Sequence, residues 1–273
     1  CARDKTIKLW DIETMELKQT LSGHSHYIKA LVVNKEGTHL ASGSADGTVK
    51  IWTRDGATGN WGALCTINTR CQREIKTWVL GVAFDPVDGS HRLATSHSDG
   101  FVRIWSIRGD LLYTIDAHCD EASFIGTENN QVWVYAVAWH VTNKLVTCSE
   151  GHTAKIWVWD DSAEEWICSH KLQHGDKVRS VSFNPDGTRI VCGCHNKTDF
   201  IKIWDISTGE CIGRLKGHTS WVYSVAYSSD GSHILSGSRD NKLKIWDAKT
   251  GRCVRTLAGH CGNCITVAWG SDG

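Results

Sequence analysis

Apolar and polar residues alternate along this chain in short runs broken by turn residues. The clearest stretch is residues 217–247, GHTSWVYSVAYSSDGSHILSGSRDNKLKIWD. VYSVAY, HILSGS and LKIWD each alternate with a period of two, and SSDGS and RDN separate them as turns. AKTG then turns the chain into RCVRTLAGH, which ends in the next Gly-His. This alternation predicts strands, and turns too short to hold a crossover helix predict antiparallel pairing. The unit is expected to be a four-stranded antiparallel meander.

The unit recurs. The tryptophan closing its third strand falls at Trp10, Trp52, Trp105, Trp157, Trp204 and Trp246, at spacings of 42, 53, 52, 47 and 42. The Gly-His position reads His24, Ile75 (histidine lost), His118, His174, His218 and His260. Gly-His, Trp-Asp, the SGSxDxxIKIW run and a period of about forty resemble the WD-repeat β-propeller family, over essentially the whole chain. The resemblance implies an all-β fold, a WD-repeat β-propeller of four-stranded antiparallel blades, with six repeat equivalents visible. It is expected as one domain over residues 1–273, with blade pieces 1–21, 24–67, 75–115, 118–172, 174–215, 218–257 and 260–273.

The termini carry complementary pieces. Residues 1–11 align on residues 237–247 as a third strand without its first two partners, and 12–21 supply the fourth. Residues 261–273 align as a first strand and its turn. The chain begins at Cys1 inside a repeat, so a fragment of a seven-bladed or longer array is expected, a six-bladed ring lacking one strand being the alternative. Insertions fall between strands: residues 54–61, 69–74, 119–131 and 160–165, and two residues in HNKTD that displace Asp199.

Composition narrows the function. Thirty basic and thirty acidic residues give a formal net charge of zero, which disfavours non-specific nucleic-acid or anionic-membrane binding. No apolar run approaches the ~18 residues that span a bilayer, and no signal-peptide pattern is present. Twelve cysteines are scattered over strand positions, as reduced thiols of an intracellular protein, cytoplasmic or nuclear, would be. Asn196-Lys197-Thr198 matches a glycosylation acceptor that such a protein would not use. Cys261-Gly-Asn-Cys264 and Cys192-Gly-Cys194 lack the paired spacing of a zinc site, and Cys264 aligns with the inward Val222. No cofactor or metal is expected, and no nucleotide or hydrolase motif occurs.

His24, Ser42, Asp46 and Trp52, and again His218, Ser236, Asp240 and Trp246, hold the residue types of a catalytic triad. A set repeated along the chain is not an active site. The family resemblance implies a structural network, indole N–H to hydroxyl to imidazole to carboxylate, in which every buried polar group has a partner. Three blades break the pattern. Residues 75–115 keep Thr95, Asp99 and Trp105 but have Ile75; 118–172 have Gly151 for the aspartate; 174–215 have Cys192 for the serine. These three are expected to be the less stable half, first to lose amide protection.

The starts of the first strands suggest a binding surface. Tyr27, Trp78, Trp133, Lys177, Trp221 and Asn263 share one register position, and Lys29, Leu80, Tyr135, Arg179, Tyr223 and Ile265 the position two on. Arg3, Ala45, Ser98 and Arg239 precede turns on the same side. In the propeller the resemblance implies, this top face carries aromatic residues and cations, of which Tyr27, Trp78, Trp133, Tyr135, Lys177, Arg179, Trp221, Tyr223 and Arg239 are the candidate partner-binding set. The insertion 119–131 is expected to overhang it. The reading is a non-catalytic protein–protein interaction scaffold binding proteins or peptides, with no small-molecule substrate. Two alternatives remain. One is an RNA-associated scaffold using Lys29, Lys177, Arg179 and Arg239. The other is a cullin-type ubiquitin-ligase substrate receptor, whose WDxR box is met only in part by Trp105-Ser106-Ile107-Arg108 and Trp246-Asp247-Ala248-Lys249.

Overall fold

A computed structural model describes residues 4–69, 77–121, 132–196 and 200–270. Arg3, Ile75, Asp199, and residues 197–198 and 122–131 of the expectations above lie outside the described residues. The chain divides into two compact units, Cys1–Cys119 and Asp120–Gly273.

In the first unit, β1 (Ile7–Trp10) pairs among the described residues with β2 (Leu17–Leu21) alone. Two four-stranded antiparallel sheets follow. One is β3 (Ile28–Val33), β4 (His39–Ser44), β5 (Thr48–Arg54) and β6 (Trp61–Asn68). The other is β7 (Val79–Phe84), β8 (Arg92–His97), β9 (Phe101–Ser106) and β10 (Leu111–Asp116).

The second unit opens with a short 3₁₀ turn at its boundary, Cys119–Glu121. Its first sheet is β11 (Val134–His140), β12 (Lys144–Ser149), β13 (Thr153–Asp160) and β14 (Glu165–Gln173). Its second is β15 (Val178–Phe183), β16 (Arg189–Cys194), β17 (Ile201–Asp205) and β18 (Cys211–Leu215). Its third is β19 (Val222–Tyr227), β20 (His233–Ser238), β21 (Lys242–Asp247) and β22 (Cys253–Ala258). The meander expected for residues 217–258 is present with those strands.

Six repeat equivalents therefore become five complete four-stranded blades, with β1 and β2 as a half. Residues 263–270, expected as a first strand, form no ladder. They bond singly instead: Cys264 N–H to Ser238 O (3.0 Å), Val267 N–H to Ser224 Oγ (3.1 Å) and Trp269 Nε1–H to Ala226 O (3.1 Å). A strand is made by a neighbouring backbone, and no second strand follows among the described residues. Trp10 shows the same want from the other side. It is 58% exposed, whereas Trp52, Trp105, Trp157, Trp204 and Trp246 are all buried.

Glycine lets successive blades approach. A Cβ on Gly43 of β4 would lie 2.6 Å from Val79 Cγ1 of β7, and one on Gly193 of β16 2.8 Å from Val222 Cγ1 of β19. First strands are then tied by hydroxyls, Ser180 Oγ accepting from Val225 N–H at 3.1 Å and Ser182 Oγ from Tyr227 N–H at 3.3 Å. Apolar clusters bridge the blades, Ala41, Ile51, Leu93 and Trp105 in the first unit, and Val191, Ile203, Ile234 and Trp246 in the second.

Inside the blades the polar network is complete in two. Trp52 Nε1–H reaches Ser42 Oγ at 3.0 Å, Ser42 meets His24 Nε2 at 2.8 Å, and His24 Nδ1 meets Asp46 at 2.9 Å. Trp246, Ser236, His218 and Asp240 repeat it at 2.8, 2.7 and 2.7 Å. An indole only donates and a carboxylate only accepts, so the protons run one way along each chain. Burial lowers the pKa of His24 and His218, against the pull of their aspartates. Burial acts upward on Asp46, but hydrogen bonds from Thr48, the Ser25 N–H and His24 outweigh it and hold it at about 2.

Two of the three expected gaps are filled in part by other side chains. In the β7–β10 blade, His97 stands two residues from Thr95 on the same strand face. It meets Thr95 Oγ1 at 2.7 Å, and Thr95 receives Trp105 Nε1–H at 2.8 Å. Asp99 pairs with Arg103 at 2.7 Å instead of an imidazole. In the β11–β14 blade, Glu121 replaces the aspartate that Gly151 lacks. It accepts from Ser149 Oγ at 2.8 Å and from Thr153 Oγ1, the position that Thr48 holds against Asp46. A Cβ on Gly151 would lie 1.9 Å from Glu121 Oε2, so the glycine is the space the glutamate fills. Trp157 Nε1–H still reaches Thr147 at 3.0 Å.

In the β7–β10 blade the relay stops at the imidazole, His97 Nδ1 having no hydrogen-bond partner among the described residues, and the β15–β18 blade is open from the indole onward. With Cys192 in place of serine, Trp204 Nε1 and both ring nitrogens of His174 have no hydrogen-bond partner among the described residues. Burial, with the charge of Lys202, drives the His174 pKa down to about 3. Each orphaned group costs free energy that a hydroxyl would recover. Cys192→Ser is therefore expected to stabilise the protein by about 1 kcal/mol, read as a higher denaturant midpoint. Asp240→Ala, which strands His218, is expected to destabilise by about 1–3 kcal/mol; an unchanged melting temperature would count against the network.

Candidate functional site: a cation–aromatic ladder

The same backbone bond sets one residue per blade beside the start of the first strand. Ala45, Ser98, Glu150, His195 and Arg239 each donate N–H to the carbonyl of Tyr27, Trp78, Trp133, Lys177 and Trp221, at 2.8–3.1 Å. The sequence reading located this position from the turn aspartate. It therefore missed Glu150 and His195, whose blades have that aspartate replaced by Gly151 or displaced by an insertion. Counting from Thr147 and Cys192 along the strands finds both.

In the second unit these residues and the first-strand residues form a continuous stack. Trp133 meets Tyr135 edge-on at 6.1 Å. The Arg179 guanidinium lies 3.8 Å from the Tyr135 ring centroid, and its Nε–H donates to His195 Nε2 at 3.0 Å. His195 stacks flat on Trp221, 4.2 Å between centroids with planes 7° apart, and meets Tyr223 edge-on at 5.8 Å. Arg239 covers Trp221 at 4.3 Å. Lys177 pairs with Glu150. Seven of the nine candidates thus come together in this unit; Tyr135, expected at the surface, is 9% exposed because Arg179 covers it.

The other two lie in the first unit. Tyr27 is 39% exposed, its ring against His26, and Trp78 is half-buried with Lys29 Nζ 5.7 Å from its ring. A cleft of about 540 Å³ between the turns around Asn34 and Asp88 is also in this unit. Its charges meet one another, Arg92 with Asp85 at 2.6 Å and Lys35 with Asp88 at 3.3 Å. Residues 122–131 of the expected overhang are outside the described residues, but its start turns inward, with Glu121 buried.

His195 is 4% exposed. Burial lowers its pKa to about 4, and the charges of Arg179, Lys177 and Arg239 act the same way against Asp176. A neutral ring is what the stack needs, because Nε2 must accept the arginine proton. The ladder is therefore a set of cations held against π faces. Among the described residues, no group of three or more His, Cys, Asp or Glu side chains could hold a metal ion. The ten described cysteines are free thiols, with Cys148, Cys192, Cys194 and Cys264 buried. No described helix is long and apolar enough to cross a membrane.

A family model for the WD domain, G-beta repeat, matches residues 15–53, 69–106, 109–158, 166–205 and 209–247. The chain belongs to the WD-repeat family. Its five four-stranded sheets are blades of the kind that family builds. Among relatives, the nuclear distribution protein PAC1 of Arthroderma otae is 30% identical over 60% of this chain and 34% of its own length. The transcriptional corepressor LEUNIG_HOMOLOG of Arabidopsis thaliana is 24% identical over 88% of this chain and 32% of its own. The small ribosomal subunit protein RACK1 of Caenorhabditis elegans is 25% identical over 88% of this chain and 85% of its own. The WD-repeat chain thus spans about a third of the first two relatives and most of the third.

Unfolded histidine titrates near 6.5 and folded His195 near 4, so as pH falls the unfolded chain takes up the proton first. The stability contribution is full above pH 6.5 and is lost between 6.5 and 4. Denaturation midpoints measured across that window are expected to fall less steeply in His195→Gln than in the parent. The remaining buried histidines are common to both proteins, so parallel curves would contradict the assignment.

Proposed function

We propose that this WD-repeat chain is a non-catalytic scaffold that holds a protein or peptide partner on the ladder face of its second unit, within a multiprotein assembly inside the cell. The observation that carries this reading is the ladder itself. Trp221 and Arg179 are fixed by stacking and hydrogen bonding before any partner arrives, so little side-chain entropy is lost on binding. Tryptophan, tyrosine and arginine are also the residues that dominate interface energies. The relatives support it in kind, one being named as a ribosomal subunit protein and another as a corepressor. Fold alone does not determine function, so the reading rests on the site.

An RNA-associated role is less favoured. Lys177 is neutralised by Glu150, and the formal net charge is zero. The ubiquitin-ligase reading has only the exposed Arg108 and Lys249, each in a box missing one of its marks.

The test is affinity purification with the intact chain and with a Trp133→Ala/Trp221→Ala double variant of equal melting behaviour. Loss of the same set of bound proteins from the variant is the expected result. An unchanged set would move the binding surface elsewhere.

A further inference from the structure

The ladder contains two arginines that no carboxylate neutralises. Among the described residues neither Arg179 nor Arg239 forms an ion pair, although both sit in a region with acidic neighbours. Those neighbours are committed elsewhere. Glu150 holds Lys177, Asp176 accepts the Lys177 N–H at 2.7 Å, and Asp240 holds His218 at 2.7 Å and the Thr219 N–H at 3.0 Å. Each guanidinium is instead held by a ring face, Arg179 on Tyr135 and Arg239 on Trp221. Stacking uses the faces of the guanidinium plane and leaves its edge, where the N–H donors lie, for a ligand. Arg179 spends one donor on His195 and Arg239 is exposed.

We propose that this pair of guanidiniums is an anion-reading site, which binds an acidic peptide by taking a side-chain carboxylate or phosphate against Arg179 and Arg239, with His195 and Trp221 lying between them. This rests on the ladder face being the partner-binding surface and names the chemistry of that partner. Fork-shaped donors fixed in orientation match the two oxygens of a carboxylate or the three of a phosphate, and charge-assisted bonds are the strong ones. Lys177 and Glu150 at the edge cancel each other, so the positive charge is confined to two groups. Such confinement suits one acidic side chain. It does not suit a nucleic-acid backbone, whose affinity comes from many phosphate contacts.

The probes are four pools of fluorescein-labelled peptides with random flanks. One central position is fixed as glutamate, phosphoserine, glutamine or lysine, and binding is read by anisotropy. The glutamate or phosphoserine pool is expected to bind on the order of tenfold more tightly than the glutamine pool, and added salt should weaken the binding. Which of the two acidic pools wins identifies the anion. Arg239→Gln, at an exposed position, should abolish that preference without changing the melting temperature; Arg179→Gln should abolish it too, with a lower melting temperature from the lost bond to His195. Tight binding of the glutamine or lysine pool, lost in Trp221→Ala, would overturn the anion reading and leave the partner-binding face standing. Binding of a single-stranded RNA oligomer in preference to every peptide pool would overturn it in favour of nucleic acid. No binding by any pool to the folded protein would overturn both readings.

Discussion

The buried indole N–H at the end of each third strand is the constraint from which the blades are built. A tryptophan there fills more of the blade than any other side chain, but it carries a donor into a place without water. A hydroxyl on the second strand accepts that donor and brings a proton of its own to place. An imidazole accepts that proton, and its second nitrogen then calls for a carboxylate. Trp246, Ser236, His218 and Asp240 show the sequence of demands completed.

Two of the irregular blades meet part of the same demand by other routes. His97 comes from the strand that carries Thr95, so the imidazole is supplied locally when Ile75 replaces the usual one. Glu121 arrives from outside the meander, and Gly151 leaves the room it occupies. Cys192 is answered by nothing, and the unpartnered groups of His174 and Trp204 remain as a local cost. A blade can carry such a cost because apolar burial is shared with its neighbour, as the cluster from Val191 to Trp246 shows.

The ladder follows from the same geometry. Because one backbone bond recurs in every blade, the residue it places is brought beside the first strand whatever its identity. In two of the five blades that residue is small, Ala45 or Ser98, and in a third it is Glu150, which pairs with Lys177. In the last two it is His195 and Arg239, and there the register position becomes a stack joining two first strands. A structural repeat thereby yields a non-repeating surface, through side chains the fold does not need.

Alternation and spacing within about forty residues are enough to locate the strands, their antiparallel order and the blade unit, and the family resemblance supplied the regular networks. The sequence also placed most of the ladder's members, since Trp133, Arg179, Trp221 and Arg239 share register positions that can be counted along the chain. The tertiary structure alone decided which groups substitute for missing ones and which members touch. Glu121 stands thirty residues before the gap it fills, and His195 was hidden by an insertion that shifts the turn used for counting. Hydrogen bonds and ring contacts depend on proximity in space, and no periodicity records which distant residue a folded chain brings within 3 Å.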